Sequence, residues 1–396
     1  MKVVEVGGIA AAIVCLASFV PGQALAQEPS PSGTAAEATM LAPRSQEELW
    51  AILKPHFEPP AEYGSGGAYR SPLLFNDGSQ VKTPEDWQRR RQEILATWHG
   101  LMGAWPEPLE NPTIELRESS KRGDLTQYDV RVDIAPGMKH RGILLMPPGE
   151  GPFPAALVVY YEPETSVGLQ KELRDFGLQL ARRGFVTLSI GGPPKYNNSE
   201  GKPLQPLSFM AYVADNCAKA LANLPQVDGE RIGVVGHSYG GKWAMFASCL
   251  SERFACGAWS DGGIVFDEKR ANVNYWEPWY LGLDRATKRK PGIPKPENPR
   301  TGAYAQMIDE VRDLHELHAL MAPRPFLVSG GAEDRPARWE PLVHAIAVNR
   351  LLGHENRVAM TNRKTHGPTP ESNDQLYAFF EYFLLHAAAP PASKGQ

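Results

Sequence analysis

The amino-acid sequence predicts an α/β protein with a mostly parallel central sheet covered by helices on both faces. From residue 155 onward, short runs of continuously apolar residues alternate with amphipathic stretches of helical period. Such runs are typical of strands buried on both faces, and their alternation with helices is typical of parallel sheets. The chain has 396 residues, of which 42% are hydrophobic and 22% charged, so it can bury a large core.

The first 26 residues are predicted to be a signal peptide, followed by a disordered linker over residues 27–44. Lys2 precedes an apolar run from Val6 to Val20, and the small residues of Ala24-Leu25-Ala26 form a cleavage pattern. The apolar run is too short to span a bilayer comfortably. We therefore expect export to a periplasm or to the extracellular space.

The charge pattern argues against nucleic acid and membranes as partners. The formal net charge is −4, and no run of Lys and Arg occurs. Val14, the residue before Cys15, is too bulky for a lipoprotein cleavage site. We therefore expect no membrane anchor after the signal peptide is removed.

An N-terminal helical extension is predicted over residues 45–112. Ser45 to Phe57 fits a short helix. A stronger helix begins at Thr83, with Pro84 at its first position and Asp86 completing a capping box.

The main domain is predicted over residues 113–387, with a disordered tail over residues 388–396. Alternating or continuously apolar runs predict strands at Tyr128–Ile134, Arg141–Met146, Ala155–Tyr161, Phe185–Ile190, Arg231–Gly236, Ala255–Trp259, Pro325–Ser329 and Arg357–Thr361. Helices are predicted at Phe209–Leu224, Gly240–Leu250 and Ser372–His386, and at a stretch marked by Leu169, Leu173, Phe176 and Leu180. Residues 263–302, rich in Trp, Tyr, Pro and Lys, form a cap-like insertion between sheet elements.

A nucleophile motif follows the apolar strand that ends at Gly236. Gly236-His237-Ser238-Tyr239-Gly240 matches G-x-S-x-G and stands directly between a strand and a helix. This context is typical of the nucleophile elbow of the α/β-hydrolase fold, in which the flanking glycines avoid clashes in a sharp turn. The sequence therefore predicts Ser238 as the nucleophile of a serine hydrolase.

A serine hydroxyl needs a base, and in this fold the order along the chain is Ser, acid, His. His366 lies in a loop after the last predicted strand and before the closing helix, where the fold places its base. Asp334 follows the strand Pro325–Ser329 and is the preferred acid. Asp261, after the preceding strand, is a serious rival, and Glu333 is a weaker one.

The tetrahedral intermediate of ester cleavage needs hydrogen-bond donors that are fixed in advance. One is the backbone N–H of Tyr239, next to the nucleophile. The other is expected at the end of the strand Ala155–Tyr161, from Tyr161 or its neighbour Tyr160.

No metal or cofactor is expected. His315 and His318 lie in His-Glu-Leu-His, one residue short of the zinc-protease spacing. The mature chain keeps three cysteines, Cys217, Cys249 and Cys256. This odd number allows one disulfide at most, and buried thiols are the favoured interpretation.

The approach to the nucleophile, Val227-Asp-Gly-Glu-Arg-Ile-Gly233 leading into Gly-His-Ser-Tyr-Gly-Gly-Lys, resembles that of acetyl xylan esterases, dienelactone hydrolases and the prolyl oligopeptidase catalytic domain. Ala322-Pro323-Arg324-Pro325 fits the same superfamily. Lys242, Asn274–Trp279 and the helix at Thr83 resemble glucuronoyl esterases and related bacterial polysaccharide esterases. This resemblance implies that Lys242 and Trp276 contact the sugar. The chain departs from that family at Tyr239, where glucuronoyl esterases usually carry an Arg that helps to hold the oxyanion.

The leading hypothesis is a secreted, monomeric serine esterase that cleaves an acetyl, feruloyl or uronate ester through an acyl-enzyme. Rings of the insertion would stack on sugar or aryl groups, and Glu277 would accept sugar hydroxyls, unless the insertion packs its aromatic residues into a small core of its own. One alternative is a peptidase of the prolyl oligopeptidase type, although only about 80 residues precede the region of resemblance and no propeller-sized segment is expected there. Another is a non-catalytic binding protein with a hydrolase fold.

Overall fold

The computed structural model describes residues 38–194 and 204–386. The predicted signal peptide, linker residues 27–37 and the predicted tail at 388–396 lie outside the described residues. Within the described part of the chain, no helix is long and apolar enough to cross a membrane.

A nine-stranded sheet forms the centre of the described chain. Its strands are β1 (Ile114–Arg122), β2 (Leu125–Ala135), β3 (Met138–Met146), β4 (Phe153–Val159), β5 (Val186–Ile190), β6 (Val227–His237), β7 (Cys256–Ser260), β8 (Phe326–Gly330) and β9 (Val358–Asn362). Their spatial order is β1-β2-β3-β5-β4-β6-β7-β8-β9. The pairs from β1 to β5 are antiparallel, and all pairs from β5 to β9 are parallel. The mostly parallel sheet predicted from the sequence is therefore confirmed.

Ten α-helices accompany the sheet in the described residues. They are α1 (Gln46–Leu53), α2 (Pro84–Met102), α3 (Pro163–Ser166), α4 (Phe176–Ala181), α5 (Pro206–Ala222), α6 (Tyr239–Leu250), α7 (Gly302–Asp309), α8 (His315–Ala319), α9 (Trp339–Leu351) and α10 (Pro370–Phe380). A π-helical turn, Glu381–Leu385, continues α10.

Both faces of the sheet are buried, as the continuously apolar strands require. Leu157 and Val159 of β4 belong to the core cluster that includes α5 and α6. Ala156 and Val158, which point to the opposite face, belong to the cluster that includes α1, α4 and α10. Helices packed on both faces therefore fix the carboxyl ends of the parallel strands.

The stretch marked by Leu169, Leu173, Phe176 and Leu180 is not one helix. Only its last part, α4, is helical. Gly168 and Leu173 have positive φ angles of 74° and 58°, which end any right-handed helix. Leu169 and Leu173 are exposed instead of buried, so their helical spacing was misleading.

Residues 38–44 of the predicted disordered linker pack against the sheet domain. Ala38 is buried beside Leu125 and Ile143. The Leu41 N–H donates to the Arg182 carbonyl at 2.8 Å. Arg44 forms ion pairs with Asp374 at 2.7 Å and Glu381 at 2.6 Å. For these seven residues, the prediction of disorder is therefore wrong.

The three cysteines of the described chain are free and buried in α5, α6 and β7. Burial raises the pKa of each thiol well above its usual range. A thiol in an apolar interior keeps its proton, so these side chains act as small apolar residues.

Candidate active site

Ser238 occupies a sharp turn between β6 and α6. Its backbone angles, φ of 55° and ψ of −107°, lie outside the regions that residues other than glycine normally adopt. A Cβ on Gly240 would stand 2.0 Å from the Val159 carbonyl oxygen, and one on Gly236 would stand 2.3 Å from that of Gly240. Only glycine fits at these two positions, as the motif indicated. The turn places Ser238 at the first turn of α6, whose free N–H groups favour negative charge.

The Ser238 hydroxyl is hydrogen-bonded to His366. The distance from Ser238 Oγ to His366 Nε2 is 2.9 Å. On the other side of the ring, His366 Nδ1 lies 2.7 Å from Asp261 Oδ2. Asp261 is fully buried, whereas the His366 side chain is about a third exposed. Two hydrogen bonds therefore connect Ser238, through the partly exposed His366 ring, to the buried Asp261 carboxylate.

Asp334 does not contact His366. Its Oδ2 accepts the N–H of Gly263 at 2.9 Å, and its Oδ1 accepts the N–H of Ile264 at 2.7 Å. The expectation that Asp334 orients His366 is thus wrong in this geometry, and the rival Asp261 takes that place. Glu333 does not take it either, because its carboxylate bonds to Arg270 at 2.8 Å and to Asn272 at 3.1 Å.

The backbone of Asp261 explains why its carboxylate reaches the histidine. Its φ of 47° turns the chain at the end of β7. Its Oδ1 accepts the N–H groups of Glu333 and Asp334 at 3.0 and 2.8 Å, which leaves Oδ2 for His366. Burial raises the pKa of the neighbouring Asp334 carboxyl to about 6, and the negative charge of Asp261 adds to this rise.

Arg363, which sequence reasoning missed, holds the loop of His366. Its guanidinium donates to the carbonyl oxygens of His366, Gly367 and Ser329, each at 2.8 Å. Arg363 follows β9 directly, so it ties the histidine loop to the end of β8. In the sequence, the only indication of this role for Arg363 was its position three residues before His366, the predicted base.

The two candidates for the second oxyanion donor, the amides of Tyr161 and Tyr160, differ in their availability. The Tyr160 N–H donates to the Ile190 carbonyl at 3.3 Å and is therefore already used. The N–H groups of Tyr161 and Tyr239 have no acceptor among the described residues. The geometry thus favours the Tyr161 amide over that of Tyr160.

Aromatic rings extend from Ser238 toward the insertion. The Tyr161 and Tyr239 rings stack at 4.4 Å with an angle of 14°. Tyr239 also lies 6.1 Å from Tyr280, which neighbours Trp279 at 6.3 Å. Tyr161 and Trp279 are 54% and 44% exposed, so this aromatic row offers flat apolar surface beside Ser238.

Lys242 does not reach the surface, contrary to the sugar contact that the resemblance implied. Its ammonium donates to the Asn272 carbonyl at 2.9 Å and lies over the rings of Tyr275 and Tyr280. Burial lowers the pKa of this ammonium to about 8, and nearby carboxylates, of which Asp334 acts most strongly, oppose that shift.

Trp276 and Glu277 are also buried, so neither presents a polar atom to a sugar. The Trp276 indole donates to Glu277 Oε1 at 3.1 Å. Glu277 also accepts from the Gly292 N–H at 2.7 Å and pairs with Arg289 at 3.2 Å. The insertion therefore packs its own aromatic and charged residues into a small core, which was the alternative to a sugar site.

His315 and His318 do not form a metal site with other residues. His315 Nε2 bonds to the Arg70 carbonyl at 2.7 Å, and the His318 ring packs against Trp259. In residues 38–194 and 204–386, no group of three His, Cys, Asp or Glu side chains is arranged to hold a metal ion.

Two sequence families match the chain. The prolyl oligopeptidase family matches residues 214–390, and the FrsA-like esterase family matches residues 107–267. Both matches include the turn that carries Ser238.

Curated relatives and solved structures agree with these matches. The chain is 29% identical over 346 residues to 4-O-methyl-glucuronoyl methylesterase 1 of Phanerochaete chrysosporium, covering 81% of this chain and 70% of the relative. It is 26% identical over 341 residues to 4-O-methyl-glucuronoyl methylesterase of Schizophyllum commune, covering 81% and 84%. The structure of a glucuronoyl esterase from Solibacter usitatus superposes with a TM-score of 0.61 at 18% identity, covering 82% of this chain and 98% of that one. The chain thus has the α/β-hydrolase fold, and the predicted resemblance to serine esterases of this superfamily is confirmed.

Proposed function

We propose that this protein is a serine esterase that cleaves carboxylic esters attached to polysaccharide, with Ser238, His366 and Asp261 as its catalytic triad. The observation that carries the proposal is the chain of two hydrogen bonds from Ser238 through His366 to Asp261, at 2.9 and 2.7 Å. The relatives named above are esterases of glucuronoyl groups, which supports a saccharide ester as the substrate.

In the first step, His366 Nε2 takes the proton of Ser238 as the oxygen attacks the ester carbon. The imidazolium that forms is stabilised by the buried Asp261 carboxylate, which also holds the ring in position. Collapse of the tetrahedral intermediate releases the alcohol, which receives the proton from His366, and leaves an acyl group on Ser238. Water then attacks this acyl-enzyme with His366 again as the base.

Negative charge develops on the carbonyl oxygen during both attacks. The amides of Tyr239 and Tyr161 are the donors for this oxygen, and each contributes about 3 kcal/mol to lowering the barrier. The first turn of α6 adds a favourable electrostatic field. Because this chain has Tyr239 where glucuronoyl esterases usually carry Arg, the oxyanion donors that we propose among the described residues are backbone amides.

Turnover of three substrate classes by wild type and Ser238→Ala tests this proposal. The substrates are p-nitrophenyl acetate, a methyl glucuronate ester and a proline-containing peptide. We expect Ser238-dependent cleavage of the esters, with a loss on the order of 10⁴-fold or more in the variant. Absence of any Ser238-dependent turnover would contradict the proposal and favour a binding protein.

A peptidase is the second candidate, because the prolyl oligopeptidase family matches residues 214–390. Cleavage of the proline-containing peptide without cleavage of either ester would establish it in place of an esterase.

We also propose that the first 26 residues direct export. The apolar run from Val6 to Val20 and the small residues up to Ala26 support this proposal. Amino-terminal sequencing of protein recovered from a secreting host tests it: a mature chain that begins near Gln27 is expected, and a chain that begins at Met1 would refute it.

A further inference from the structure

Arg174, between β4 and α4, carries a guanidinium group that no described residue neutralises. Its Nε is buried and has no hydrogen-bond partner in the described part of the chain. Single nitrogen atoms of Arg90, Arg122, Arg338 and Arg357 are also buried without a partner. Other nitrogens of Arg90, Arg122 and Arg338 bind Glu93, the Val167 carbonyl and Asp267, and the Arg357 guanidinium lies over the Phe383 ring. A buried donor on a charged group without a partner is costly. Arg174 is set apart from these four residues by its place beside the loop of His366.

This guanidinium lies on the His366 side of the nucleophile. A Cβ on Gly367, the residue after His366, would stand 3.6 Å from an Arg174 terminal nitrogen. Burial lowers the pKa of His237 beneath the turn, and the charges of His366, Arg363 and Arg174 lower it further. Burial raises the pKa of Tyr160, and the Arg174 charge acts against that rise. Arg174 is thus close to both the catalytic loop and the strand that ends beside Ser238.

The neighbouring charges leave Arg174 available. The adjacent Asp175 carboxylate accepts from Gln179 Nε2 at 2.7 Å, and Asp175 forms no ion pair with Arg174 in the described residues. Lys171, on the same segment, adds positive charge above the rings of Tyr160 and Tyr161, at 5.4 and 5.8 Å.

We propose that Arg174 binds a carboxylate carried by the alcohol part of the ester substrate. His366 must deliver its proton to the leaving alcohol, so that alcohol approaches the histidine and the Gly367 backbone beside it. A planar guanidinium recognises a carboxylate through two parallel hydrogen bonds. The inference rests on the proposed esterase function and deepens it: the preferred leaving alcohol is an acidic one, such as a saccharide that carries uronic acid groups.

The test compares charged and neutral leaving alcohols with the same acyl group. The substrates are 3- and 4-acetoxybenzoate and the matching acetoxybenzamides, which have nearly the same shape without the charge. The measured quantity is the ratio of kcat/KM for the carboxylate to that for the amide, in wild type, Arg174→Met and Arg174→Lys. Arg117→Met, which removes one charge from an exposed residue of β1, is the matched control.

We expect Arg174→Met to lower this ratio by about tenfold for at least one positional isomer, mainly through KM. Arg174→Lys should keep part of the preference, and Arg117→Met should keep all of it. A purely structural role would lower turnover of both members of each pair equally. An unchanged ratio in Arg174→Met overturns the inference and leaves the esterase intact, whereas a lack of Ser238-dependent hydrolysis of all four esters overturns both.

Discussion

Asp261 and Asp334 each accept hydrogen bonds from the backbone of the loop that carries the other. Asp261 Oδ1 binds the N–H groups of Glu333 and Asp334, while the Asp334 carboxylate binds those of Gly263 and Ile264. The ends of β7 and β8 are thus braced by two buried carboxylates, of which only Asp261 touches His366. In the proposed triad, Asp261 would therefore orient the base, and Asp334 would only hold the two loops together.

Exchanging each carboxylate for an amide should separate these tasks. We expect Asp261→Asn to lower kcat on the order of 10³- to 10⁴-fold, because the imidazolium loses its charged partner. Asp334→Asn should cost about tenfold or less, since Asp334 acts only through the loop. Steady-state kinetics with p-nitrophenyl acetate measures both, with thermal melts to verify folding. A larger loss for Asp334→Asn would reverse the assignment of the acid.

The free energy of unfolding should depend on pH through the titration of Asp334. Burial, with the Asp261 charge, raises its folded pKa to about 6 from an ordinary value near 3.8. The folded state therefore prefers the protonated carboxyl, and this contribution is complete below pH 4 and lost as the pH rises through 6. Between pH 4 and pH 7, the free energy of unfolding of wild type should fall relative to Asp334→Asn, on the order of 2 kcal/mol. Urea unfolding at several pH values measures the difference, and a difference that does not vary with pH would contradict the assignment.

The turn at Ser238 should not tolerate a methyl group at Gly240. The added Cβ would stand 2.0 Å from the Val159 carbonyl oxygen, which belongs to a central strand and cannot move away. Gly240→Ala should therefore destabilise the protein by about 3 kcal/mol or more. Gly100→Ala is the matched control, because it lies in α2 with no atom within 4 Å of the new Cβ. That variant should gain about 1 kcal/mol from helix propensity. Similar melting temperatures for the two variants would refute this account of the turn.

The buried pair of Glu277 and Arg289 should be costly to break. Both side chains are at most 4% exposed, so Arg289→Met leaves a carboxylate without its counter-charge in the core of the insertion. We expect a loss of about 3–5 kcal/mol. Arg300→Met breaks the half-exposed pair with Glu268 and should cost less than about 1 kcal/mol. Chemical denaturation compares the two, and equal losses would mean that Glu277 finds another partner or water.

Local patterns predicted most of the sheet and the positions of Ser238 and His366. An apolar strand, a glycine-flanked serine and a helix are close in sequence, so their geometry follows from sterics alone. The aspartate that contacts His366 was harder to predict, because β7 and β8 are neighbours and both end in a loop with an aspartate. Their register and the positive φ of Asp261 decide which carboxylate faces His366, and neither can be read from composition.

The predicted sugar contacts failed for a related reason. Aromatic and charged residues in an insertion suit either a binding surface or a small core, and only packing separates these outcomes. Trp276 finds its partner in the adjacent Glu277, and Glu277 in Arg289, 12 residues further on. The sequence did not indicate a binding role for Arg174, because a single arginine in a loop belongs to no recognisable motif.

The three unlinked cysteines mean that no covalent cross-link holds the described part of this chain together. Reducing agents should therefore leave its shape intact, and oxidative folding machinery is not needed to produce it. Because these sulfurs sit in α5, α6 and β7, around the centre of the molecule, they become reactive only when that centre opens. The rate at which a thiol-specific dye labels these cysteines would therefore report how often the core of the protein opens.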